Sequence, residues 1–226
     1  MSGPEAEQWR ETVPPEGPEP LRIPWEDPEH PRLTGLLATV WQLLRRPGEF
    51  FRFLPREGWQ QSLSFGLIDG TFGLLATFYT EMLLSLSLSQ KLQGLPGLSF
   101  MMAQTSSLML ILMLFTPVLV MASLLLGTFC LWAALRLQGV ASTFALALKI
   151  NAYSQGGLVV AAVPVAGVVA AVFWNLYLTY KGMREMFGLG WWRAWGTVML
   201  FLSLEGLVLV LAVLALVLPF IMTRLP

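Results

Sequence analysis

The sequence predicts an all-α fold: a polytopic membrane helix bundle with five transmembrane helices, preceded by an interfacial amphipathic helix and a disordered N-terminal tail. Three observations predict it. Hydrophobic residues make up 55% of the 226 residues and charged residues only 12%, against about 25% charged in soluble domains. The charges also leave long gaps, with none between Lys91 and Arg136 and none between Lys149 and Lys181. A bilayer core about 30 Å thick asks for roughly 20 apolar residues per helix, and each gap is longer than that. Finally, the Lys and Arg residues that flank the apolar runs gather on one side of them.

The first element is the tail. Residues 1–31 hold eight prolines and eight acidic residues, with Arg10 and Arg22 as the basic ones. Such a mixture buries too little apolar surface to offset ordering entropy, so disorder is expected. One island, Ile23-Pro24-Trp25-Glu26-Asp27, interrupts it, and Trp25 beside carboxylates fits a docking motif, a headgroup anchor or a tail residue resting on the domain. The N-terminus is acidic and has no apolar signal-peptide core, which leaves the tail on the cytoplasmic side.

Residues 32–60 form the second element. Leu33, Leu36, Leu37, Val40, Trp41, Leu43 and Leu44 recur at helical spacing, opposite Thr34, Thr39, Gln42 and Arg45. This stretch is too short and too polar to span, and suits a helix lying in the membrane interface. Arg45, Arg46 and Pro47 end it, and Phe50, Phe51, Phe53 and Trp59 then interleave with Arg52 and Arg56, as an anionic lipid surface favours. Trp41, Arg45, Arg46, Phe50, Phe51, Trp59, Trp191 and Trp192 are the expected interface anchors.

The membrane domain, 61–226, divides into spans at about 64–88, 106–135, 141–163, 165–181 and 194–222. Lys91, Gly94, Pro96 and Gly97 mark the first loop. The second span is long, and tilt or a kink at Pro117 absorbs the excess. The third and fourth make a hairpin turning around Pro164. With the N-terminus inside, Arg45, Arg46, Arg52, Arg56, Arg136, Lys181, Arg184 and Arg193 fall on the cytoplasmic side, and only Lys91 and Arg224 on the other. That bias places the N-terminus in the cytoplasm and the C-terminus outside a cell membrane.

Composition removes several function classes. Fourteen basic and fourteen acidic residues sum to zero net charge, so no broad basic face exists for nucleic acid. The one cysteine, Cys130, excludes an internal disulfide and a cysteine metal cluster. The one histidine, His30, lies in the tail. Neither HExxH, GxSxG, a Walker loop nor GxGxxG occurs, so neither an enzyme nor a cofactor is expected.

Two constellations carry more information. Gly66, Gly70, Gly73 and Thr77 lie on one helix face, a small-residue stripe suited to close helix packing. Asp69, Lys149, Glu205 and Glu81 are ionisable residues inside predicted spans, each costing about 2.5–3.5 kcal/mol unless paired or wet. Depth suggests a pair of Lys149 with Glu205 or Asp69, and leaves Glu81 near the outer headgroups. The same cluster reads either as a staple between helices or, joined by Asn151, Tyr153, Gln155 and Asn175, as the polar lining of a small transporter or channel.

The order of short motifs resembles a known family. Ile23-Pro24-Trp25-Glu26 precedes the amphipathic stretch, Arg46-Pro47-Gly48-Glu49-Phe50-Phe51 follows it, and Leu63-Ser64-Phe65-Gly66 opens the first span. Farther on come Tyr153, Pro164 with Gly167, and Trp174, Tyr177 and Lys181-Gly182 before the last span. Over about residues 23–222 this resembles the bacterial branch of the Yip family, five-span proteins related to the Rab-GTPase-interacting Yip proteins. The resemblance implies a five-span fold with a cytoplasmic N-terminus. The Asp-Leu-Tyr-Gly-Pro signature of eukaryotic members does not occur here, so Rab binding is not carried over. The expected function is that of a non-enzymatic adaptor or membrane organiser. Its partners would be the lipid bilayer, a cytoplasmic protein reached through the tail and interfacial segment, and a second copy of the chain.

Overall fold

The computed structural model describes residues 22–91, 94, 96–163 and 166–222. Residues 1–21, most of the expected tail, lie outside the described residues, as does Pro164. Among the described residues the chain is all-helical. Its elements are α1 (Arg32–Arg45), α2 (Pro47–Arg52), α3 (Gln60–Lys91), α4 (Pro96–Leu114), α5 (Thr116–Leu137), α6 (Phe144–Ser154), a 3-10 helix η1 (Gln155–Ala162), α7 (Ala166–Phe187) and α8 (Trp191–Met222).

Local chemistry sets the boundaries. Pro47 opens α2 at a position where no amide is needed, with Glu49 in its first turn and Arg52 in its last, both favourable to the helix dipole. The kink expected at Pro117 is a break at Phe115, and Pro117 stands in the first turn of the new helix α5, because proline cannot supply the amide that would continue α4. At the other end of α5, Gly139 takes φ +73°. Its amide donates to the Arg136 carbonyl and the Val140 amide to that of Leu135, the paired bonds of a Schellman cap. Thr143 then caps α6, accepting from the Leu146 amide at 3.3 Å.

Among the described residues, three helices, α3, α5 and the Trp191–Ala215 part of α8, are long and apolar enough to cross a membrane. Their outer lengths bare large apolar side chains such as Phe72, Leu83, Val118, Leu209 and Leu214, as lipid-facing surfaces do. The expected third and fourth spans correspond to α6 with η1 and to α7, which pack on each other as a hairpin. The buried core sits at the opposite end, where Phe50, Phe51, Leu131, Ile150, Leu178 and Met183 close together.

Two expectations need correction here. Phe50 and Phe51 do not anchor the interface: both are fully buried. Phe50 meets Phe51 edge-on at 5.4 Å and Tyr153 at 5.1 Å, and Phe51 lies against Gly182 of α7. A short helix that must cover the end of α7 places its aromatic pair inward. Residues 22–31, counted with the tail, instead form turns, closed by Glu26 and Asp27 amides donating to the Ile23 carbonyl and by His30 to Asp27.

Candidate functional site

The ordered strap 22–27 leads into the most elaborate polar site of the described chain. Ile23 is buried and the Pro24 carbonyl lies over Gly35 of α1, where a Cβ would come within 2.8 Å of it. The Trp25 amide donates to Thr39 Oγ1 at 3.0 Å and its indole to the Gln61 carbonyl at 2.7 Å, while the ring meets Phe65 edge-on. Thr39, expected on the outward polar face of α1, is therefore fully buried.

These contacts deliver the Glu26 carboxylate to α6. Tyr153 Oη donates to Glu26 Oε1 at 2.6 Å, and Lys149 Nζ stands 4.0 Å from the same oxygen. Lys149 is 1% exposed and Glu26 12%. The ammonium also donates to the Pro55 and Glu57 carbonyls at 2.5 and 2.6 Å. A lysine cation has donors and no acceptor; two carbonyls take hydrogen bonds from it, and the Glu26 carboxylate balances its charge at ion-pair distance. The expected pairing of Lys149 with Asp69 or Glu205 is thus not the one formed. Lys149 lies at the level of the loop before α3, where the strap reaches it and the carboxylates inside α3 and α8 do not. An open groove of about 440 Å³, lined by Arg22, Glu26, Asp27, Phe53, Pro55 and Gln61 among others, borders the clasp.

The other singled-out residues are dispersed. Asn151 donates to the Leu124 carbonyl at 3.0 Å and to Thr128 Oγ1 at 3.2 Å on α5. Asn175 of α7 donates to the Ser154 carbonyl at 3.0 Å. Both amides tie helices together and, with Tyr153, point to different neighbours. Gln155 begins η1 beside Gly70. Glu205 is partly buried on α8 and Glu81 exposed on α3. Asp69 is 4% exposed, and its Oδ2 has no hydrogen-bond partner among the described residues.

Gly66, Gly70 and Gly73 line the seam between α3 and the helices α5, α6 and η1. A Cβ on Gly66 would meet Ala152 at 2.9 Å, on Gly70 the Val120 side chain at 2.8 Å, and on Gly73 the Leu158 Cβ at 2.5 Å. Thr77 donates back to the Gly73 carbonyl. Among the expected anchors, Trp41, Trp59, Trp191 and Trp192 are exposed. Arg45 stacks over Trp41, its guanidinium 4.1 Å from the ring centre, and Arg46 pairs with Glu49 at 3.4 Å.

Sequence reasoning missed Glu26, Thr39, Phe65 and the two carbonyls of the 55–57 loop. The signal for Glu26 was its place in the Pro-Trp-Glu island, the one hydrophobic interruption of the tail.

A family model, the Yip1 domain, matches residues 41–220. Neither a curated protein nor a solved structure matches the chain.

Proposed function

Because the chain belongs to the Yip1-domain family, we propose that it acts without catalysis, as an adaptor or organiser in the inner membrane of a bacterial cell. The observation that carries this reading is the clasp of Lys149 with Glu26. A cation that faced a transport route would be left to meet water or substrate, whereas Lys149 spends its donors on backbone carbonyls and on the strap. The strap continues into the acidic tail, so whatever engages the tail pulls on a segment anchored in the bundle.

In this reading the tail, α1 and the turn at 188–190 form one cytoplasmic working face. Leu33, Leu37 and Trp41 project from α1 and rest on the lipid surface, with Arg45 at the headgroups. Five crossings follow if α6 with η1, roughly 32 Å long, and α7, roughly 33 Å, each span the bilayer. A hairpin enters and leaves on the same side, so the N-terminus inside and the C-terminus outside hold for three crossings as for five. Ala166 and Ala170, exposed on α7, are small residues suited to contact with a second copy.

The test is complementation of a deletion strain by the full-length chain. An adaptor loses function when residues 1–21 are removed and keeps it when Glu205 is replaced by Leu. A transporter gives the reverse, and that result would retire this reading.

A further inference from the structure

Asp69 poses a problem that the clasp does not solve. It lies three residues after Gly66 and four before Gly73, hence on the seam face of α3, and it is 4% exposed. Its Oδ2 receives no hydrogen bond from the described chain. A carboxylate left alone in an apolar interior carries a desolvation cost far larger than one side chain contributes elsewhere, so native structures neutralise or pair it.

No cation of the surrounding helices is placed to do so. Of the elements packed on α3, α4 and η1 carry no charged residue. The α5 cation is Arg136, in its last turn, more than four turns beyond the Val120 that meets Gly70. The α6 cation is Lys149, held by Pro55, Glu57 and Glu26. On α3 itself Glu81 is exposed, roughly 18 Å along the helix from Asp69, and Lys91 lies in the last turn. The neutralising charge must therefore be small and mobile.

The opposite wall of the seam is unusual in the same place. Eight residues, Gln155–Ala162, run as a 3-10 helix, although such runs seldom exceed three or four residues and mark hinges or strain when they interrupt an α-helix. Gln155 Oε1 stands 3.6 Å from where a Gly70 Cβ would lie, which puts an uncharged oxygen donor beside the carboxylate's own turn.

We propose that Asp69 is a cation-binding site in the seam between α3 and η1, occupied by a proton or by a monovalent alkali ion. Occupancy removes the charge and lets the glycine stripe close on η1 as observed. A proton needs no further ligand. An alkali ion would draw on oxygens such as Gln155 Oε1.

The experiment uses the full-length protein in lipid nanodiscs. Infrared difference spectra, wild type against Asp69→Asn at neutral pH, read the carbonyl stretch of an un-ionised carboxylic acid. Its presence in the wild type alone assigns the proton. If the band is missing, thermal unfolding in sodium chloride against choline chloride decides: a Tm rise of about 2 °C or more in the wild type, lost in Asp69→Asn, assigns the alkali ion. Neither signal overturns the proposal. Should Asp69→Asn not fold, labelling of the wild-type chain with a hydrophobic carbodiimide, which modifies un-ionised carboxyls, replaces it for the proton arm. An adduct on Asp69 supports the site. An unmodified Asp69, together with no sodium effect on the wild type, overturns it.

Discussion

Lys149 is surrounded by acceptors it cannot do without, and they cannot easily do without it. Replacing it by Met leaves Glu26 with the Tyr153 hydroxyl but without its cation, and two loop carbonyls without their donor. Removing one partner of a buried ion pair costs about 3–5 kcal/mol, so Lys149→Met is expected near the lower figure, Glu26 being slightly exposed. Glu26→Gln keeps a hydrogen-bond acceptor and should cost about 1–3 kcal/mol. The double variant should lose less than the sum, as residues in one network do, read by thermal unfolding of the three variants. A pH dependence belongs beside these. The Glu29 amide, 3.0 Å away, and then His30 hold the Asp27 carboxyl below its usual range, against a smaller desolvation effect. A lowered folded value gives stability that is present above the ordinary carboxylate range and lost as pH falls through it. The turn at Asp27 should thus loosen as pH falls below about 4, seen as loss of protection of the Glu29 amide. The sequence made Lys149 legible as a cation in need of a carboxylate, and made Trp25 and Glu26 legible as an island. It did not join them, because span boundaries drawn from hydropathy put Lys149 inside the bilayer and Glu26 outside it. A contact across about 120 residues of chain leaves no trace in local spacing.

Among the elements, α3 is the helix on which α4, α5, α6 and η1 close. Its glycines were readable as a stripe because four- and three-residue steps share a face, and the structure places Ala152, Val120 and Leu158 against them. Gly73→Val would drive side-chain atoms into Leu158, whose Cβ lies 2.5 Å from the position of a new Cβ. Overpacking of this kind costs about 1–3 kcal/mol, and the variant should unfold at lower temperature with α3 and η1 less protected. Thr143→Ala removes the cap of α6 and should cost about 1 kcal/mol, a loss that Thr143→Asp restores. The break at Phe115 was half legible, since Pro117 announced a bend but not that two helices meet there. The inward turn of Phe50 and Phe51 was not legible at all. An aromatic pair between arginines has the same composition at a headgroup boundary and over the end of another helix, and only the position of Gly182 decides between them.

For the whole molecule, the apolar, all-helical chain and its family could be read from composition and motif order, and the match over residues 41–220 agrees with them. What composition could not reveal is how unevenly the core is distributed. The tight packing gathers where α2, α6, α7 and the start of α8 meet, while the outer parts of α3 and α8 remain bare for lipid. The proposed orientation makes that packed end cytoplasmic, and cysteine labelling of Gly190→Cys, an exposed position in open space, should occur only from the cytoplasmic side of a sealed membrane. The Ile23–Asp27 strap belongs to this packed end and not to a free tail. Hydrogen–deuterium exchange of the full-length chain in nanodiscs tests it most directly, because the Trp25, Glu26 and Asp27 amides all have acceptors. Slow exchange is expected at these three amides in the wild type, and fast exchange once Lys149→Met and Tyr153→Phe are combined. Fast exchange there in the wild type would contradict it.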